Sequence, residues 1–316
     1  MLRAAKEAVF SSSEDRIRAS QASVAVAWPS VFQKPSSWAS RTAESIFSVL
    51  FPSNCRICSE PLLNISRLPV CPECLDAIHS EAAKVCNVCG ERVLSSYAFT
   101  DDDGRLRCPV CRRVDRPFDR AVAYGSYDGG LRELVHLLKY NGVRPAAGIL
   151  GRMLVEAIVP MESQFEQSAP EKVLVIPVPL YKGKRHSRGF NQAELIASAA
   201  LKVDRSERLQ LATGILHRIR DTHSQIGLTS HQRRENMRGA FAVTRAAEVT
   251  GRAVLLVDDV YTTGTTVTEC ARVLRRAGAA QAWVATVART QKHASKYLAD
   301  RSPEAETDLM ERVIAS

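Results

Sequence analysis

Hydrophobic and polar positions change rhythm several times along the 316 residues. Residues 1–50 mix Ser, Ala and isolated charges without sustained periodicity and hold Pro29 and Pro35, as a weakly ordered extension does. Only Trp38, Ile46, Phe47 and Leu50 fall on one face of a short amphipathic helix. Residues 51–116 contain no long apolar run. From Phe118 the pattern becomes that of a globular domain: "FDRAVAYGSYDG" reads as a strand pair with a turn. "LRELVHLLKYNG" reads as a helix that places Leu131, Leu134, Val135 and Leu138 on one face and stops at Gly142. A helix at 145–159, a strand "KVLVIPVP", a helix from Gln192 to about Lys202, a strand "RAVLLVDD", a helix from Thr265 to Ala277 and a strand "QAWVATVA" follow. Apolar strands alternating with amphipathic helices predict an α/β domain with a mainly parallel sheet and helices on both faces. Past Thr290 the chain turns polar, as a frayed tail does.

Nine cysteines alter the reading of the segment that lacks a core. Eight form four pairs, Cys55/Cys58, Cys71/Cys74, Cys86/Cys89 and Cys108/Cys111, each separated by two residues. Such a pair presents two thiolates to one ion, and two pairs complete a tetrahedral zinc site. Eight ligands therefore predict two structural Zn²⁺ ions, with no open coordination position for catalysis. Spacing admits sequential or interleaved use of the pairs; the shorter loops favour sequential use. Cys270, among Val267, Leu274 and Ala277 on one helical face, reads as a small buried hydrophobe.

The net charge of +9 favours anionic partners such as phosphorylated metabolites or nucleic acid. No stretch approaches the roughly 20 apolar residues of a membrane span, and no apolar signal core opens the chain, so a cytoplasmic location without membrane insertion is expected.

The chemistry concentrates in "VLLVDDVYTTGTT", Val254 to Thr266. An apolar strand runs into two adjacent carboxylates, Asp258 and Asp259, and then into Thr262, Thr263, Gly264, Thr265 and Thr266 at the start of a helix. Hydroxyls, successive backbone N–H groups and a helix N-terminus make a cradle for a phosphate. The carboxylates suit vicinal hydroxyls or a share of Mg²⁺. Together they suit a ligand with a phosphate at one end and a diol in the middle. A Walker phosphate loop is excluded by the absent Gly-Lys-Ser/Thr, and a dinucleotide fingerprint by the absent glycine triplet.

Two segments support this site. "IPVPLYKGKRHSRGFNQAELIA" places a Pro-x-Pro turn, with Pro177 and Val178, before a basic loop carrying Lys182, Lys184, Arg185, His186 and Arg188, and then Asn191 as a helix cap. Such a loop suits a diphosphate, for which Pro177, Val178, Lys182, Arg185 and Arg188 are the candidates. "QIGLTSHQRRENMRGAF" predicts a polar helix capped by Thr229 or Ser230, with one arginine-bearing face toward either the cleft or solvent.

The sequence from Val254 to Thr266 resembles the ribose-diphosphate motif of type I phosphoribosyltransferases. That resemblance implies that Asp258 and Asp259 hold the ribose hydroxyls of 5-phosphoribosyl 1-diphosphate and that Thr262 to Thr266 hold its 5-phosphate, with Mg²⁺ on the diphosphate. In such enzymes the carboxylates help stabilise positive charge developing at the anomeric carbon. The paired cysteines, "LFPSNCRIC", "LKYNG", "PVPLYKGKRHSRGFNQAE" and the "GAF" segment together resemble the ComF family, over about Phe51 to Arg289. The expected organisation is an extension over 1–50, a double zinc module over 51–116, a phosphoribosyltransferase-like domain over 117–292 and a polar tail over 293–316. The resemblance implies a role in DNA uptake or competence, with single-stranded DNA and competence proteins as partners. The alternative is a phosphoribosyltransferase acting on a small acceptor.

Overall fold

The computed structural model describes residues 54–62, 66–80, 84–93, 100–101, 104–168, 171–222 and 230–291. The expected N-terminal helix, the extension, Thr229 and the C-terminal tail lie outside them. All described residues except Ser66 belong to one compact unit.

Five strands form a wholly parallel sheet: β1 (Arg120–Ser126), β2 (Val173–Pro177), β3 (Leu209–Leu211), β6 (Ala253–Tyr261) and β7 (Gln281–Arg289), in the order β1-β7-β6-β2-β3. A separate antiparallel ribbon pairs β4 (Leu216–Arg218) with β5 (Phe241–Val243). Alternate residues of the central strands enter two different cores. Val175, Leu255, Val257, Trp283 and Ala285 face α3 (Gly129–Tyr140), α4 (Ala146–Ile158) and, later in the chain, α7 (Gln192–Val203). Leu174, Ile176, Val254, Leu256 and Val284 face α9 (Thr265–Arg276) and the ribbon. Both faces of β6 are covered, which is why its first five residues are apolar without alternation.

This topology fixes where a ligand fits. From β2 the chain passes through α7 to β3 on one side, whereas from β6 it passes through α9 to β7 on the other. The β2/β6 boundary is therefore the point at which connections diverge, and the crevice beyond its carboxyl ends is the ligand position of such sheets.

The cysteine pairs build two copies of one small unit, α1 (Pro72–Asp76) belonging to the first and α2 (Pro109–Arg113) to the second. Matching bridges join Asn54 to Pro61 and Val85 to Arg92. Cys55 N donates to Glu60 O at 2.8 Å and Cys86 N to Glu91 O at 2.7 Å. Ser59 and Gly90 take the same left-handed turn position, with φ of 67° and 72°. The first unit sends Cys55, Leu68, Val70, Leu75 and Ile78 into the core beneath α3 and α4, and the second sends Cys86, Cys89, Cys108 and Cys111 into the opposite core. Too small to enclose a core of its own, each borrows one face of the sheet.

Three expectations are corrected. "FDRAVAYGSYDG" holds one strand rather than a strand pair. The chain stays extended through Gly125, which is in register with Ala288 of β7, and Asp128 then takes the position before α3 without a side-chain cap bond. The basic segment after the Pro-x-Pro turn is a helix, α6 (Lys182–Arg188), rather than a loop; Gly189, at φ 76°, closes it. Strand β6 continues beyond the aspartates to Tyr261. The short strand β3 and the ribbon carry too few residues for their periodicity to be read.

At Gly151 in α4, a Cβ would lie 2.7 Å from both Ala199 Cβ and Ala200 N of α7. Gly151→Ala is expected to lower stability by about 2 kcal/mol through overpacking, seen as a reduced urea midpoint at unchanged slope.

Candidate functional site

Asp258 and Asp259 sit near the carboxyl end of β6, with little room for two charges. Asp259 is 4% exposed. Its Oδ2 lies 2.9 Å from Lys139 Nζ, delivered by the last turn of α3, and its Oδ1 accepts from Val260 N at 2.8 Å. Burial disfavours the Lys139 charge, but Asp259 and, behind it, Asp258 hold the ammonium above its ordinary value. Asp258 accepts from Asp259 N at 2.9 Å. Burial and the neighbouring Asp259 push its carboxyl up to about 7, against the opposing pull of Lys139 and Arg218. One carboxylate is thus paired with a lysine while its neighbour accepts a backbone N–H.

The threonine loop follows without a break. Gly264, at φ 73°, is the N-cap of α9, which has no side-chain cap. Thr263 Oγ1 and Thr265 Oγ1 are 2.8 Å apart. Thr262 is exposed, while Thr265 and Thr266 are half-buried. Glycine at 264 is demanded from below as well as by its φ: a Cβ there would meet Tyr261 Oη at 2.1 Å. Tyr261 is 3% exposed, and burial pushes its hydroxyl up to about 12. Arg289, at the end of β7, lies with Cζ 4.2 Å from the Tyr261 ring centre. The same guanidinium donates to Cys89 O at 2.5 Å and pairs with Glu91 at 2.5 Å. The second cysteine unit and the loop therefore share one buried cation.

The residues proposed for a diphosphate are divided by the structure. Pro177 and Val178 are buried beside the site, with Val178 N donating to Val257 O at 2.8 Å and Asn191 Nδ2 donating to Val178 O at 3.0 Å. Asn191 also caps α7 as expected, accepting from Ala193 N at 3.1 Å. Pro177, Lys182 and Arg185 line a cavity of about 720 Å³, together with Tyr181, Glu194, His217 and Arg218. Arg185 lies 3.6 Å from Glu194. Arg188 turns away, donating to Gln192 Oε1 at 2.5 Å and facing Tyr140. His186 and Lys184 are exposed on α6.

The polar helix α8 (Ser230–Met237) forms as expected, and the glycine after it is tied to α9, Gly239 N donating to Glu269 Oε1 at 2.9 Å. Cys270 is fully buried, as expected. Lys139, Arg218, Tyr261 and Arg289 were not anticipated. Lys139 alone left a trace: the one cation in the last turn of an otherwise apolar helix face, inside "LKYNG".

Two four-cysteine clusters form, Cys55/Cys58/Cys71/Cys74 and Cys86/Cys89/Cys108/Cys111, so the pairs are used in sequence. The ligand sulfurs within each cluster lie within 4.8 Å of one another. Cys58 and Cys71 Sγ are 3.8 Å apart, and Cys89 and Cys108 Sγ 3.7 Å. Thiolates about 2.3 Å from a tetrahedral ion stand about 3.8 Å apart, so the donor sets fit zinc. Backbone N–H groups of Ile57 and Cys71 point at Cys55 Sγ, both at 3.4 Å. Among the described residues no helix is long and apolar enough to cross a membrane.

The raised Asp258 carboxyl makes stability depend on pH in a defined sense. The folded chain holds this proton up to about pH 7, whereas the unfolded chain loses it near 3.8. The stabilisation is complete below the lower value and disappears as pH rises through the upper one. Asp258→Asn cannot ionise, so it should gain on wild type from about pH 4 to about pH 8, by on the order of 2 kcal/mol after allowance for partial exposure. Urea unfolding of both proteins across that range, without Mg²⁺, measures the difference.

Comparison with known proteins places these features in a family. A profile described as the phosphoribosyl transferase domain matches residues 188–314. DNA utilization protein YhgH of Escherichia coli O157:H7 is 30% identical over 239 residues, 76% of this chain and 98% of the relative. Competence protein F of Haemophilus influenzae is 31% identical over 228 residues, 72% and 93% of the two chains. Competence protein ComFC of Bacillus subtilis is 26% identical over 67% of this chain and 80% of that one. Similar solved structures include glutamine phosphoribosylpyrophosphate amidotransferase from B. subtilis, at 25% identity over 45% of this chain and 26% of that chain with a TM-score of 0.27. Hypoxanthine-guanine phosphoribosyltransferase from Schistosoma mansoni matches at 14% identity over 45% and 56% of the two chains, TM-score 0.26. With identity of 30% across nearly the whole of its relatives, a phosphoribosyltransferase-type sheet and paired four-cysteine clusters, the chain belongs to the ComF family.

Proposed function

We propose that the chain binds phosphoribosyl diphosphate or a related phosphoribosyl ligand with Mg²⁺ and acts in DNA uptake or utilization by handling single-stranded DNA. The observation that carries the ligand is the position of Asp258, Asp259 and the Thr262–Thr266 loop at the carboxyl end of β6, in the crevice where the connections of the sheet diverge. In this reading Asp258 and Asp259 take the ribose hydroxyls and Thr262, Thr263, Gly264, Thr265 and Thr266 the 5-phosphate. The backbone of Pro177 and Val178, with Lys182 and Arg185, faces the diphosphate. Arg188, turned toward α3, has the weakest support among the diphosphate candidates. Mg²⁺ supplies charge neutralisation on the diphosphate. The DNA role is supported by the names of the relatives, DNA utilization protein and competence protein.

The test is calorimetric titration of the zinc-loaded protein with phosphoribosyl diphosphate and Mg²⁺. Wild type should bind, and Asp258→Asn/Asp259→Asn should lose at least tenfold in affinity, about 1.4 kcal/mol. Absence of binding by folded wild type sinks the ligand assignment. Diphosphate release that depends on an added base or amine would instead point to group transfer.

Each four-cysteine cluster is assigned one structural zinc ion. Zn²⁺ with four thiolates keeps two negative charges, and Arg289 and Arg116 stand beside the second cluster to offset them. Native mass spectrometry should find two zinc ions per chain. Stripping them with a chelator should lower the melting temperature by several degrees or more; a chain that melts unchanged without zinc would refute the assignment.

A further inference from the structure

Among the large apolar side chains exposed on the described surface, Tyr140 is the one aromatic, and at 66% it is the most exposed. It ends α3, immediately after the lysine that holds Asp259. Its ring is not isolated. His136, one turn earlier, meets it edge-on, with ring centres 5.1 Å apart and planes at 66°. The Nε2 of His136 lies 3.1 Å from the Tyr127 hydroxyl. Arg188 Cζ stands 5.9 Å from the centre of the Tyr140 ring. Nearby in sequence, Arg144 in the turn after α3 lies 5.3 Å over the ring of Phe190. Helix α6, whose Lys182 and Arg185 belong to the diphosphate in the reading above, adds Lys184 and His186, with no acidic residue in its seven.

A ring held by an edge-on neighbour, flanked by the Arg188 guanidinium and 66% exposed does nothing for a core, since most of it meets water. It does offer what an unpaired nucleobase needs: a flat apolar surface for stacking, with cations at the distance of the backbone phosphates. Aromatic residues are only 6% of the chain, yet Tyr127 and Tyr140 gather here around His136. Paired bases hide their faces in the duplex, so the surface selects single strands.

We infer that the end of α3, the Arg144 turn and the Arg188 end of α6 form the surface that binds single-stranded DNA, with a base stacked on Tyr140 and phosphates on Arg144 and Arg188. This rests on the DNA-handling reading above and adds where the strand lies. Because Lys139 holds Asp259 and Tyr140 is the next residue, the strand borders the ribose motif.

The test is fluorescence anisotropy of a dye-labelled oligothymidylate about 20 nucleotides long, titrated with the full-length, zinc-loaded protein over a range of salt concentrations. Tyr140→Ala should weaken binding about tenfold while Tyr140→Phe retains it. Arg144→Gln should weaken binding and flatten the slope of log affinity against log salt by about 0.7. Tyr140 and Arg144 are both exposed, so the fold should survive, and calorimetry with phosphoribosyl diphosphate checks that the ribose site is intact. If wild type binds the oligonucleotide and the Tyr140→Ala and Arg144→Gln variants bind equally well, the strand lies elsewhere and this surface is refuted while DNA handling stands. If Tyr140→Ala weakens duplex binding as much as single-strand binding, base stacking is refuted. If wild type binds no single strand even at low salt, DNA handling fails and the surface with it.

Discussion

Two adjacent carboxylates near the end of a strand covered on both faces are a problem in electrostatics, and the contact between Asp259 and Lys139 is the answer on which the site depends. A carboxylate that is 4% exposed stays charged only with a partner. The partner must come from outside β6, because the strand itself supplies only apolar neighbours. Helix α3 supplies it, following the edge strand β1 and bringing Lys139 of its last turn to Asp259 of the central strand. The apolar face of α3, with Leu131, Leu134, Val135 and Leu138 fully buried, is what holds the ammonium in place. One cation cannot satisfy two carboxylates. Asp258 is left with burial and its charged neighbour pushing its carboxyl up to about 7.

A second cation disciplines the loop. Arg289 is 3% exposed and is held by Glu91 and the carbonyl of Cys89, both from the second cysteine unit. Its face supports Tyr261, whose hydroxyl leaves no room for a side chain at Gly264. The chain of contact from a four-cysteine cluster to the threonine loop is therefore four residues long and buried throughout. A shift of the Cys86–Glu91 turn would move the guanidinium, and the tyrosine would follow. The cysteine unit is in this sense part of the wall of the site.

Much of this was legible in the sequence, for reasons that differ by element. The parallel sheet announced itself because β6, β2 and β7 are buried on both faces and read as uninterrupted apolar runs. The clusters announced themselves because thiolate pairs have a fixed spacing, and their sequential use follows the shorter loops, as the Cys55–Cys74 and Cys86–Cys111 groupings bear out. The aspartates and the threonine loop stood out as polar residues where packing had no use for them. Lys139 did not, since a single lysine in an amphipathic helix looks like a solvated end until the fold brings Asp259 to it. Arg289 and Glu91 are 198 positions apart, and no local pattern links them. Glycine misled at Gly125, where it sits in a strand against Leu131 rather than in a turn. Helix α6 misled because five basic residues in seven suggested a loop for a diphosphate, although Gly189 at its end carries the mark of a helix stop.

The cysteine units also resolve a liability of the sheet. Strand β1 lies at one edge, where unpaired backbone groups invite association with other chains. Ala121 N instead donates to Val88 O, in the tight turn between Cys86 and Cys89, at 2.8 Å. On the other face the first unit reaches the same strand, Tyr124 Oη donating to Ile78 O at 3.0 Å. The two related units thus grip β1 from both sides, each contributing apolar residues to the core on its own face. A unit too small to fold on its own core gains one from the sheet, and the sheet gains a covered edge.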